Sequence, residues 1–235
     1  MIFVSHGDKG GTGKSMLSAL LVDYLLSQGR EVAILEGDLG QPDIARRFAG
    51  KVRVGAVNLN QAGAADAAVA AFGGWLEEQK SGDAVVNLPA GAGDTLDALA
   101  DVLVAVAEGI GQRVGVVYSL GAYETSTQGA LRSFEHGLLG AAHRRVAALP
   151  EFLGAPAAFH WQRAGAGAVF LRTGGIEVAI PALRPESLRD KVLSLPGSFT
   201  DLVTSPELTL TERAMFQRWL SKGHAAAAVI TGEPQ

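Results

Sequence analysis

A chain of 235 residues with a net charge of −4 and no cysteine has room for one α/β domain, and it excludes disulfide scaffolds, thiolate zinc sites and iron–sulfur clusters. Hydrophobic residues make up 48% and charged residues 19%, a globular balance, and no apolar run approaches the roughly 18 residues of a membrane span, so a soluble cytoplasmic protein is expected. The mild negative charge gives no overall pull toward nucleic acid, although small basic clusters exist at Arg46-Arg47, Lys51 with Arg53, and His143-Arg144-Arg145.

In chain order, a short apolar run at Ile2 to Ser5 predicts a first strand, and a glycine-rich segment follows it directly. Leu17, Leu20, Leu21, Tyr24 and Leu25 then repeat at helical spacing, with Gly29 as the stop. Further strands are expected at 31–35, 52–57, 84–87, 114–118, 145–149 and 176–180, where β-branched residues cluster between Gly, Pro or polar residues. Helices are expected at 66–80, from about Asp94 with Leu96, Leu99, Leu103 and Val106 on one face, and at 125–138, 158–171, 186–195 and 211–220. Met215, Phe216, Trp219 and Leu220 form the docking face of the last helix, and Trp75, Trp161 and Trp219 fall at core positions of helical patterns. Alternation of strand and helix implies a doubly wound, mostly parallel sheet of about seven strands with helices on both faces. The single domain is expected to span 1–224, with a flexible, small-residue tail over 225–235.

The chemistry concentrates at Lys9-Gly10-Gly11-Thr12-Gly13-Lys14-Ser15, between the first strand and the first helix. Backbone N–H groups can converge on an anion where no Cβ stands in the way, and a helix N-terminus adds a favourable dipole. Lys14 is placed to reach the β and γ phosphates, and the Ser15 hydroxyl to ligate Mg²⁺. The five histidines show no metal-binding spacing, and no serine sits in a nucleophile elbow. His6 is read as a satisfied strand-end residue.

The seven-residue motif K-G-G-x-G-K-[ST] resembles the deviant phosphate loop of the ParA/MinD group of P-loop ATPases; Asp8 stands where the strict P-loop pattern has glycine. The resemblance implies ATP or ADP with Mg²⁺ as cofactors. It implies a nucleotide-binding set of Lys9, Gly10, Gly11, Thr12, Gly13, Lys14, Ser15 and Met16, and an ATP-dependent homodimer in which Lys9 reaches the partner's phosphates. Glu36-Gly37-Asp38 looks like the family's strand-end D-x-D, which makes Asp38 a candidate to orient or deprotonate the attacking water or to hold Mg²⁺ through water; a plain turn aspartate is the alternative. The run from Asp83 to Gly91 resembles the Walker B segment with Asn87 in place of its acid, so metal binding or hydrolysis is expected to be weak. Ile180-Pro181-Ala182-Leu183 is similar to an Ile-Pro turn near the base, which brings in Pro181 and Leu183, with a strand-ending proline as the alternative.

Within the family, the missing cysteines exclude the nitrogenase iron proteins and the metal-clipped ATPases, and a 225–235 segment without Lys or Arg argues against membrane attachment. Asn87-x-Pro89-Ala90-Gly91 followed by Ser119-Leu120-Gly121 most resembles the divergent StbB and TraL types of conjugative plasmids. That resemblance implies plasmid partition, stability or transfer, with a DNA-bound adaptor as partner. Non-specific DNA binding, if present, would use clusters such as Arg144-Arg145 and weaken with salt. Two other functions stay open: a non-hydrolysing nucleotide-binding adaptor or sensor, suggested by Asn87, and an ATP-dependent ligase of the dethiobiotin or cobyrinate type.

Overall fold

In the computed structural model, which describes residues 1–7, 10–58, 65–79 and 82–233, seven parallel strands form one sheet in the order β3-β2-β4-β1-β5-β6-β7. They are β1 (Ile2–His6), β2 (Val32–Glu36), β3 (Arg53–Ala56), β4 (Asp83–Asn87), β5 (Val114–Ser119), β6 (Arg144–Pro150) and β7 (Ile176–Ile180). Each strand differs from its expected range by no more than a few residues. The chain leaves β1 toward β2 on one side and later returns to place β5 on the other. The C-terminal end of β1 is therefore a topological switch point, where doubly wound sheets form ligand crevices.

Alternate residues of one strand feed two cores. Ile2 and Val4 pack on one face of the sheet and Phe3 on the other, and all three are buried. On the Phe3 face lie α1 (Lys14–Ser27), α2 (Asp43–Arg47), α10 (Glu186–Ser194), α11 (Phe199–Leu202) and α12 (Leu210–Thr231). The Ile2 face carries α3 (Ala65–Glu78), α4 (Gly93–Ala98), α5 (Ala100–Gly109), α6 (Glu124–His136), α7 (Leu138–Ala141), α8 (His160–Arg163) and α9 (Ala166–Arg172). The helix expected from Asp94 breaks at Leu99, which lies outside helical geometry at φ −122° and ψ 24°. The one expected at 158–171 breaks at Gly165, whose φ of 74° no helix interior adopts. Lys80, the expected end of α3, lies outside the described residues.

The tail expected over 225–235 is corrected through Thr231. A capping box of Thr209 and Glu212 starts α12, and the helix runs through Gly223 to Thr231 with Ala226, Ala227, Ala228 and Ile230 buried. Gly223 is a packing device and not a stop. A Cβ there would stand 2.8 Å from a Leu20 methyl on α1, so glycine and the alanines after it let the two helices approach closely. Arg144 then donates to the Val229 and Ile230 carbonyls at the helix end. Gly223→Leu is expected to lower stability by a net of about 1–2 kcal/mol, because overpacking outweighs the gain in helix propensity. Thermal melting beside the exposed control Lys222→Ala checks it. Among the described residues no helix is long and apolar enough to cross a membrane.

Candidate functional site: a phosphate loop at the end of β1

The loop is pinned by β1 and by its neighbour β5. Ser5 Oγ donates to the Lys14 carbonyl at 3.3 Å, and Ser119 Oγ on β5 donates to the Thr12 carbonyl at 2.7 Å. Gly13, at φ 86°, is the N-cap of α1 in a left-handed conformation that a side chain would strain. A Cβ on Gly13 would also meet the Phe152 ring at 2.9 Å. No side chain caps α1 and its first turn holds no acid, so its leading N–H groups and positive dipole end remain available to an anion. Thr12 and Lys14 are buried, and the stem of Lys14 lies against Gly7. Ser15 and Met16 line a cleft of about 470 Å³ that continues past Ala19 to Asp43, Arg46 and Phe199. Gly10, Gly11, Thr12, Gly13, Lys14, Ser15 and Met16 thus form one continuous loop and helix start. Lys9 lies outside the described residues.

At the strand ends beside the loop, Glu36 and Asn87 are register partners on β2 and β4. The Asn87 amide donates to Glu36 Oε1 at 2.7 Å, and Ser18 Oγ on α1 donates to Asn87 Oδ1 at 3.4 Å. Both strand-end side chains are buried. Burial pushes the Glu36 carboxyl above the usual carboxylate range, against the lowering effect of hydrogen bonds from Asn87 and from the Asp38 and Ala45 backbone. Asp38 is half-buried; it accepts the Gln41 N–H at 3.1 Å and so shapes the turn into α2. Ser15, Asn87 and Asp38 each carry an oxygen of the kind that Mg²⁺, a hard ion needing few protein ligands, takes. Among the described residues no group of three or more His or acidic side chains gathers. Ser15 and Asp38 would be the residues to hold such an ion, which would supply positive charge against the phosphates.

Pro181 and Leu183 stand apart from this set. The Pro181 carbonyl accepts the Trp219 indole N–H at 2.9 Å, and Leu183 is buried in the core under α10 and α12. The aromatic ring that does face the loop is Phe152, 41% exposed in the 3-10 turn after β6, which the sequence did not single out. Asp97 on α4 was equally hidden. Its Oδ1 meets His6 Nε2 at 3.1 Å and accepts Ser133 Oγ and the Leu138 N–H, each at 2.8 Å, tying the residue before the loop to α4, α6 and α7. The His6 ring stacks on Tyr118 with centroids 5.1 Å apart. Burial alone would raise the Asp97 pKa, but the hydrogen bond and charge of His6, with Leu138 and Ser133, hold it below the usual value.

The basic clusters are largely occupied by the fold. Arg47 is buried, donates to the carbonyls of Val192, Leu193 and Gly197, and lies 4.6 Å from the Phe199 ring centroid. Lys51 pairs with Asp201, Arg53 with Glu78, and Arg145 bonds the Thr173 carbonyl.

A seven-stranded parallel sheet covered on both faces, with a glycine loop leading from the central strand into α1, is a fold this chain shares with solved structures of McdA and MinD. Among solved structures, a Cyanothece McdA variant in complex with ATP matches with a TM-score of 0.58 and 12% identity, over 100% of this chain and 97% of that one. MinD in the MinC:MinD cell division complex of Aquifex aeolicus matches at 0.56 and 14% identity, over 100% and 97%. Protein MobD of Acidithiobacillus ferrooxidans is 34% identical over 61 residues, 26% of this chain. That match spans about a quarter (27%) of MobD's length. No family model matches the chain.

Proposed function

We propose that this protein is an ATP-binding, Mg²⁺-dependent ATPase switch of the ParA/MinD type, which dimerises on binding ATP and reopens after hydrolysis or product loss. The observation that carries the proposal is the uncapped N-terminus of α1, with Lys14 at its first position and left-handed Gly13 before it, at the switch point of the sheet. Preorganised N–H donors and one lysine supply the electrostatic stabilisation that phosphoryl transfer requires. Lys9 is the candidate to complete the partner's site, and Asp38, just past the end of β2, the candidate to orient the attacking water. Phe152 beside Gly13 is a candidate to contact the base, where Pro181 and Leu183 were expected to do so.

The biological setting that fits the resemblance is plasmid partition, stability or conjugative transfer, with a DNA-bound adaptor as partner. A non-hydrolysing sensor is the second reading, favoured by the neutral Asn87. Phosphate release assayed with saturating MgATP separates the two. The switch predicts turnover that falls at least about tenfold in Asp38→Ala with ATP binding retained, whereas no turnover in the wild type would support the sensor.

A further inference from the structure

At the end of β4, where a divalent ion on nucleotide phosphates calls for negative charge, this chain carries the neutral Asn87. A carboxylate stands one strand away. Glu36 is the direct register partner of Asn87 and receives its amide proton at 2.7 Å. Glu36 also accepts the Asp38 N–H on Oε1 at 3.1 Å and the Ala45 N–H on Oε2 at 3.3 Å. These donors are all neutral, and Glu36 is 1% exposed, so a carboxylate is buried among amide groups with no cation in hydrogen-bond contact among the described residues. Such a charge is costly unless a positive partner arrives.

The contact also fixes the amide. Either end of an asparagine could face the helix, but with Nδ2 committed to Glu36, Oδ1 turns toward α1, where Ser18 donates to it at 3.4 Å. Ser18 lies one turn beyond Ser15 on the same side of the helix. Asn87 therefore presents an acceptor oxygen toward the start of α1 and leans on a carboxylate behind it.

We propose that Glu36 supplies, through Asn87, the negative charge for the Mg²⁺ that accompanies the nucleotide, so that a carboxylate–amide pair on two strands takes the place of a single strand-end acid. The proposal rests on the Mg-nucleotide function above, and Glu36 is a positioning residue acting through Asn87. The test is a titration of Mg²⁺ against binding of a fluorescent ATP analogue by wild type, Glu36→Gln and the double exchange Glu36→Gln with Asn87→Asp, each checked by circular-dichroism melting. Glu36→Gln is expected to raise the half-saturating Mg²⁺ concentration roughly tenfold while metal-free nucleotide affinity stays within about threefold. Moving the carboxylate to β4 in the double exchange is expected to restore the wild-type requirement to within about threefold.

A folded Glu36→Gln protein with an unchanged Mg²⁺ requirement overturns the proposal, as does a folded double exchange that does not recover. Loss of folding in both would assign Glu36 to the fold alone and overturn it too. A wild-type protein whose nucleotide binding ignores Mg²⁺ would instead overturn the Mg-dependent function on which the proposal rests.

Discussion

Lys14→Met is expected to weaken ATP binding by about 100-fold, close to 3 kcal/mol, with the fold intact. Lys14 opens α1, its stem is buried against the loop, and no other lysine or arginine lies in the described part of the loop, residues 10–16. Charge-assisted bonds to phosphate are roughly twice as strong as neutral ones. Methionine keeps the stem's apolar packing and removes the charge, and a melting curve recorded without nucleotide checks that the variant is folded. Isothermal titration with ATP measures the loss; an affinity within threefold of wild type would mean that the anion site is elsewhere.

The second large effect is on stability. Asp97→Ala is expected to cost about 3 kcal/mol, because it strands several groups at once: the buried His6 ring, the buried Ser133 hydroxyl and the Leu138 N–H. His6 Nδ1 already has no hydrogen-bond partner, so Asp97 satisfies the one ring nitrogen that is paired. The sign with pH follows from the depressed Asp97 pKa. Its stabilisation is fully present above the unfolded-state value of about 4 and is lost as pH falls through the lower folded value. Urea unfolding at neutral pH should therefore separate the two proteins clearly, with the gap narrowing only in acid. Equal midpoints at neutral pH would show that the hub carries no net stabilisation. Because the hub joins the residue just before the loop to α4, the variant should also weaken nucleotide binding modestly.

The inner strands were legible because a sheet buried on both faces demands continuous runs such as Val32 to Leu35, and α1 because its apolar residues recur at helical spacing. Shorter elements carry too few turns to show a period. α2, five residues long, and α11, four, were invisible for that reason. The continuation of α12 past residue 220 was hidden because Gly223 and the small residues after it show no apolar period, and only the facing Leu20, far earlier in the chain, makes Gly223 a packing residue. At the site, the glycine-rich turn ahead of α1 was readable because backbone geometry dictates its residues locally. Asp97 and Phe152 were not, since what defines each is a contact with a loop far away in sequence: His6 is 91 positions from Asp97. Glu36 was visible as an acid at a strand end, but its bond to Asn87 depends on strand order. Arg47 looked like half of a basic cluster and proves to be a buried clamp between α2 and the end of α10 with the Gly197 carbonyl after it.

The central claim is that nucleotide controls association of two copies, and light scattering of the purified protein with Mg²⁺ tests it most directly. Mass is measured without nucleotide, with ADP, and with a non-hydrolysable ATP analogue, for wild type and Lys9→Ala. A monomer that doubles in mass only with the triphosphate, and a Lys9→Ala variant that binds the analogue yet stays monomeric, is the result the switch predicts. A mass that never responds to a bound triphosphate, or a Lys9→Ala protein that dimerises as wild type does, would contradict it.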